Sequence, residues 1–290
     1  MLKTNKLTIF LFLLPALLIF SLYMVASIPL SAYYSLFQWE GFGDKVFLGL
    51  NNWIELIHDQ IFIRALGNNF KLVVLSMLGQ LPIALILAIF LSKKSKITDF
   101  LKTVYFIPLL MSSVAVATLW SNIFDPNFGL LNMFFQAIGF NNLFIDYLGS
   151  PRLALYSVVI TINWRYIPFY MILFIAAIKN IPDELYEAAE VDGATGFKAF
   201  FHITLPLLRP TIINASVLSL VGSLKFFDIV YVLTGGGPSH SSELMATYMY
   251  KSAFNDFRMG YGSTIALALF IIAFVLSLLF MFITKRGDQN

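Results

Sequence analysis

Apolar residues along this 290-residue chain gather into six long runs separated by shorter polar stretches. The runs lie at about 7–36, 70–91, 104–124, 153–178, 211–233 and 264–284. Each offers roughly the ~20 apolar residues that a helix needs to cross the hydrocarbon core of a bilayer. Backbone in lipid must satisfy its own N–H and C=O groups, and a single apolar segment does so as a helix. The pattern predicts an all-α polytopic membrane protein with six transmembrane helices, forming a single domain over residues 1–290. Lys3 and Lys6 precede the first run, and Val25-Ala26-Ser27 loosely resembles a signal cleavage site. That run is far longer than the ~7–15 residues of a signal core, so an uncleaved span is expected. Pro15 and Pro29 are placed to kink it.

The longest polar interruption that still carries a helical pattern is IPDELYEAAEVDGATGFKAFFHITLP, Ile181 to Pro206, between the fourth and fifth runs. Pro182 suits a first helical turn, where its missing N–H would be an orphan in any case. Asp183, Glu184 and Glu187 follow, where the positive end of the helix favours carboxylates. Gly193 is free to take the positive φ that ends a helix. A second short helix is expected from Thr195, running into Leu205-Pro206.

Composition supports the same class. Apolar residues make up 59% of the chain and charged residues 12%, with 30 phenylalanines. A soluble domain would carry about a quarter charged residues. A net charge of +3 spread between spans gives nucleic acid nothing to bind. The absence of cysteine excludes disulfides, thiol catalysis and cysteine metal sites. His58, His202 and His240 are scattered without metal-ligand spacing, so no metal is expected.

Lysine and arginine set the expected orientation. One side carries Lys3, Lys6, Lys93, Lys94, Lys96, Lys102, Lys179, Lys198, Arg209, Lys285 and Arg286; the other carries Lys45, Arg64, Lys71, Arg152, Lys251 and Arg258. Eleven against six favours both termini, and with them Ile181–Pro206, in the cytoplasm.

Candidate chemistry is sparse. No GxxxxGK[ST] occurs, so the chain has no P-loop for ATP. Gly235-Gly236-Gly237 is followed by Pro238 rather than lysine and falls on the outer side, which argues against phosphate binding. Neither HExxH nor a Ser/His/Asp set appears. Charges within the spans are costly and so informative. Arg165 lies midway along the fourth run without an acid in reach on its own helix. Lys225 and Asp228, three residues apart, are expected on one helical face. Either they neutralise each other or Lys225 snorkels outward, or else the fourth and fifth helices line a polar route for solute. Asp228 is the one candidate for the mid-membrane carboxylate an ion-coupled transporter would use, and the paired broken helices of an inverted-repeat transporter are not evident in the sequence.

Glu187-Ala188-Ala189, three residues, Gly193, nine residues, then Ile203-Thr204-Leu205-Pro206 resembles the EAA motif of binding-protein-dependent ABC importer permeases. It falls between spans four and five, where that family has it. Gly49-Leu50-Asn51-Asn52-Trp53 is similar to a segment of carbohydrate permeases, and Asn163 through Met171 (NWRYIPFYM) to their fourth-span signature. Lys225-Phe226-Phe227-Asp228 running into Thr234-Gly235-Gly236-Gly237-Pro238 resembles the "first" permease of a maltose-type or glycerol-phosphate-type pair. The likeness covers essentially the whole chain. It departs from the enteric maltose subunit in lacking extra N-terminal spans and a large outer insertion.

The resemblance implies a type I ABC importer permease fold with a cytoplasmic coupling helix, in a bacterial or archaeal cytoplasmic membrane. It implies a non-catalytic subunit without a cofactor of its own, ATP and Mg being bound by a partner ATPase. A second permease subunit, a dimer of ABC ATPases, an extracellular solute-binding protein, a sugar substrate and membrane lipid are the implied partners. Glu187, Ala188, Ala189, Asp192 and Gly193 would serve ATPase coupling. Leu109, Ser113, Ile162, Arg165, Tyr166, Phe169, Ser219, Gly222 and Ser223 would line the substrate pathway by alignment to the maltose-type contacts. The rival readings are a self-sufficient ion-coupled transporter or channel, and a membrane anchor without a pathway.

Overall fold

The computed structural model describes residues 6–93, 95–140 and 145–286. Lys3 and Lys94, counted in the charge tally above, lie outside them. Among the described residues five helices are long and apolar enough to cross a membrane, and a bent pair makes six if it counts as one span. The first run is helical in three pieces. Helix α1 (Lys6–Phe20) widens into a π-helical turn at Ser21–Val25 and continues as α2 (Ser27–Tyr34). The wide turn directly precedes Pro29, whose missing N–H and ring disturb the preceding turn.

A two-stranded antiparallel hairpin, β1 (Phe37–Gln38) with β2 (Val46–Phe47), then leads to α3 (Asn51–His58). Helix α4 (Gln60–Leu91) starts well before the expected residue 70, because Asp59 caps it. Asp59 Oδ1 accepts from the backbone N–H of Ile61 at 2.8 Å and of Phe62 at 3.3 Å. The third span is a further correction. Residues 104–124 are not one rod: α5 (Lys96–Leu110) and α6 (Ser113–Ile123) meet at 99°. Short α7 (Leu130–Ala137) follows, and α8 (Ala154–Ile178) matches the expected fourth span.

The fifth span also differs from its expected 211–233. A continuous helix covers Phe197–Lys225, made of α10 (Phe197–Ala199), a π-helical turn and α11 (Leu205–Lys225). It is preceded by α9 (Asp183–Val191) and followed, after a break at Phe226 and Phe227, by the separate α12 (Asp228–Leu233). Lys225 and Asp228 therefore do not share a helical face, because their helix ends between them. After α13 (Met245–Tyr250) and another wide turn, α14 (Met259–Arg286) completes the chain.

Contacts gather into two units, one comprising the described residues up to Ile63 with Tyr248–Ile272, the other Arg64–Thr247 with the chain from Ala273. The first unit is organised by a buried side-chain amide and a carboxylate. Asn52, from the GLNNW segment, donates to the carbonyls of Ser35 at 2.9 Å and Phe37 at 3.0 Å, tying α3 to the hairpin. Asp59 Oδ2 accepts the hydroxyls of Tyr248 and Tyr261, so one carboxylate joins the start of α4 to α13 and α14.

In the second unit α4 buries a stripe at every fourth residue. Leu72, Ser76, Gln80, Ala84 and Ala88 are all at most 1% exposed. Water does not drive helices together inside lipid, so small residues that allow close approach do much of this work. Gly79 shows the closeness: a Cβ there would lie 2.3 Å from the amide nitrogen of Asn163 on α8. Two apolar clusters result. One joins α4, α6, α8 and α12 through Leu72, Ala117, Val158, Ile162 and Val230. The other joins α4, α8 and α11 through Ala84, Ala88, Met171, Phe174 and Ala215. Along α4 and α8 the polar Gln80 and Arg165 fall between these clusters. Asn69, fully buried, adds a polar clasp by donating to the carbonyls of Ser223 and Leu224 and accepting from Met245 N–H at 2.8 Å.

Burial raises the Asp59 carboxyl, but the hydrogen bonds from Tyr248, Tyr261 and the α4 backbone outweigh it and hold the group below the usual carboxylate range. A depressed carboxylate stabilises above its unfolded value near ~3.9, and that stabilisation is lost as pH falls through the folded value. Asp59→Asn should therefore lower the stability of the purified chain by about 1–2 kcal/mol at neutral pH. In thermal melts the gap from wild type should close as pH falls below about 4. A gap that persists unchanged at pH ~3 would contradict the role given to the ionised carboxylate.

Candidate functional site

Two breaks in spanning helices meet one arginine. At the α5–α6 corner Met111 is extended, with ψ of 146°, which leaves carbonyls at the end of α5 without helical partners. Ser112 starts α6 by accepting from Ala115 N–H at 3.1 Å. Arg165, in the middle of α8, donates Nη2 to the Met111 carbonyl at 3.0 Å and Nη1 to Ser113 Oγ at 2.7 Å. The Ser113 hydroxyl donates in turn to Asp228 Oδ2 at 2.8 Å. Asp228 is the first residue of α12, just past the second break. Each charge thus sits at the helix end that favours it, the cation at a C-terminus and the carboxylate at an N-terminus. The guanidinium also lies over the Tyr166 ring, 5.4 Å from its centroid.

Beside this relay is a cavity of about 400 Å³. Its polar wall includes Gln80, Ser113, Ser219, Lys225 and Asp228, and its aromatic wall Tyr166, Phe169, Tyr170, Phe226 and Phe227. Ser219 Oγ donates to Gln80 Oε1 at 3.1 Å, while the buried amide nitrogen of Gln80 has no partner among the described residues. Tyr166 packs against Phe226 with ring centroids 5.2 Å apart, so the break after α11 forms part of the aromatic wall.

Of the expected pathway residues, Ser113, Tyr166, Phe169, Ser219 and Gly222 line this cavity. Ile162 is fully buried in the upper apolar cluster, and Ser223 is buried with its carbonyl taken by Asn69. Arg165 lies outside the lining, 9% exposed, and reaches the cavity through Ser113. Leu109 is half-buried on α5, also outside the lining. Gln80, Tyr170, Phe226 and Phe227 were not anticipated. Gln80 carried a signal, being a polar side chain inside an apolar run. The break that turns Phe226 and Phe227 toward the cavity had none.

The polar segment after α8 forms the expected helix–Gly–helix. Pro182 stands one position before α9, with an extended ψ of 134°, rather than in its first turn. Asp183 and Glu184 occupy that first turn. At the other end Asp192 is the cap and Gly193 takes φ of 74°. Gly193 N–H donates to Glu190 O at 3.0 Å and Ala194 N–H to Ala189 O at 2.7 Å, the paired closure of a Schellman turn. The second helix begins at Phe197 instead of Thr195, after Gly196 with φ of 55°, and continues into α11. Glu187, Ala188, Asp192 and Gly193 are exposed, whereas Ala189 is buried within the chain. Val191 and Phe197 are 88% and 84% exposed beside these acids, which makes the presented surface partly apolar.

Residues 80–289 match the family described as binding-protein-dependent transport system inner membrane component. The chain belongs to that family. It is 42% identical over 293 residues to the probable ABC transporter permease protein YurN of Bacillus subtilis, spanning 100% of both chains. To the multiple sugar-binding transport system permease protein MsmF of Streptococcus mutans it is 31% identical, covering 89% of this chain and 88% of that one. The fold matches the crystal structure of a bacterial ABC transporter involved in import of the acidic polysaccharide alginate, with a TM-score of 0.83, 25% identity and 96% and 95% of the two chains covered. This is the type I ABC importer permease fold, and the protein is a multi-pass inner-membrane permease. The position of the EAA permease element between the fourth and fifth spans agrees with that assignment.

The relay predicts an order of effects. Ser113→Ala breaks the link to Asp228 but leaves the Arg165–Met111 bond, and should cost about 1–2 kcal/mol in thermal melts of the purified permease. Arg165→Met removes the donors to both the Met111 carbonyl and Ser113, and should cost more, about 2–3 kcal/mol. Equal effects, or the reverse order, would show that Arg165 does not brace the two breaks.

Proposed function

We propose that this permease subunit carries a carbohydrate, an oligosaccharide in particular, into the cell by alternating access, driven by ATP hydrolysed on separate ATPase subunits. The observation that carries the reading is the cavity of about 400 Å³ between broken helices. Flat aromatic faces suit the C–H faces of sugar rings, and the Gln80 amide with the Ser113 and Ser219 hydroxyls suits sugar hydroxyls. Similarity to a multiple sugar-binding system and to an alginate importer supports the same substrate class.

Energy enters, on this reading, through α9. Glu187 offers a carboxylate to a basic groove, Ala188 allows close approach, and exposed Val191 and Phe197 provide apolar contact. Because α10 and α11 are one continuous helix, a push on α9 and its Gly193 turn is delivered to Ser219 and Gly222 at the cavity. The partners are a second permease, an ATPase dimer and an extracellular solute-binding protein, with both termini of this chain cytoplasmic. No cofactor is assigned to the chain itself. Asp228, the carboxylate an ion-coupled mechanism would require, is instead bonded to Ser113.

Co-expression followed by mild-detergent purification tests this directly. The permease should copurify with a P-loop ATPase, and proteoliposomes of the complex should take up oligosaccharide only with binding protein and ATP. Ion flux driven by solute through the chain alone would refute the proposal.

A further inference from the structure

A second cavity, of about 700 Å³, lies where α4 and α8 end and the α10–α11 helix begins. Its walls are of two kinds. Ile89, Ile178, Ile181 and Phe200 make an apolar side, as befits the ends of spanning helices. Lys93 and Lys179 bring two ammonium groups to the other side, with Asp183 the one acid in the lining. Neither lysine forms a salt bridge among the described residues. Asp99, which feels the charge of Lys179, is held by Lys102 at 2.8 Å instead. Among the described residues the lining therefore carries a net charge of +1 next to apolar surface at the membrane boundary. Tyr186 and Thr204, bonded to each other at 2.9 Å, close the wall that α9 and the fifth span share.

We propose that this cavity binds an anionic phospholipid, its phosphodiester held between Lys93 and Lys179 and its upper acyl chains against the isoleucines and Phe200. A single net negative charge, as on phosphatidylglycerol, matches the net charge of the lining. Basic pockets between spanning helices at the membrane surface select such headgroups over zwitterionic ones. An ATPase side chain would satisfy the lysines but not the apolar wall that continues from the spans. The bound lipid fills the space between the coupling element and the ends of α4 and α8, so it supports α9 from the membrane side.

Native mass spectrometry of the purified permease, titrated separately with phosphatidylglycerol and phosphatidylethanolamine, tests the site without reference to transport. One phosphatidylglycerol should bind selectively, and Lys93→Gln with Lys179→Gln should weaken it about 10–30-fold. Lys71→Gln, an exposed lysine of α4 outside the lining, should leave binding unchanged. Equal affinity for the two lipids, or undiminished binding by the double variant, would overturn the proposal. Displacement of the lipid by millimolar glycerol phosphate or inorganic phosphate would also overturn it, by assigning the lysines to a soluble anion. Transport failure in an otherwise lipid-binding chain would count against the importer reading alone.

Discussion

A helix that ends inside a membrane leaves backbone groups that lipid does not solvate, and among the described residues the α5–α6 corner and the α11–α12 break lie beside one arginine. The Arg165–Ser113–Asp228 relay answers both. The guanidinium supplies donors to the end of α5 and, through one hydroxyl, offsets the carboxylate that starts α12. The unpaired cost of either charge in lipid would be several kcal/mol, so the breaks and the relay stand or fall together. The breaks in turn make the cavity, because straight α5–α6 and α11–α12 rods would pack side by side and leave no aromatic wall of Phe226 and Phe227. The buried charge of Arg165 braces the irregular backbone beside this solute-sized space.

Helical continuity links that space to the α9 turn. The Schellman turn at Gly193 fixes the angle between α9 and the helix that follows, and that helix passes without interruption to Lys225 at the cavity rim. On α4 the Asn163 side chain of α8 lies over Gly79, and the buried stripe packs into the two apolar clusters that flank the polar level. Movement of α11 against such a tightly packed scaffold is a sliding or rocking of whole helices. Interiors at this density shift between discrete arrangements rather than deforming continuously.

Much of this was legible in the sequence, and the exceptions have physical causes. Run length and apolarity gave the spans, and the acidic start and Gly193 gave α9, because those signals are local. Hydropathy alone does not register a bend of 99° between two apolar helices, since both halves remain apolar. Lys225 and Asp228 were placed on one face by helical arithmetic, which fails once the helix stops at Phe226. Arg165 was noticed as unpaired on its own helix, and its partners came from α5, α6 and, through Ser113, α12, all distant in sequence. Ser113, Tyr166, Phe169, Ser219 and Gly222 line one cavity. Ile162 and Ser223 turned into packing, because a resemblance in sequence fixes helix position more firmly than helix rotation.

The central claim is that a signal received at α9 rearranges the cavity through α11. Gly222 lines the cavity with nothing within 4 Å of an added Cβ, and the chain has no native cysteine, so Gly222→Cys is a clean reporter. The most direct measurement is its rate of alkylation in the reconstituted importer with and without ATP, alone and combined with Gly193→Pro. ATP should change the rate several-fold when Gly193 is intact and leave it unchanged when the turn carries proline. An ATP-dependent change that survives Gly193→Pro would contradict the account.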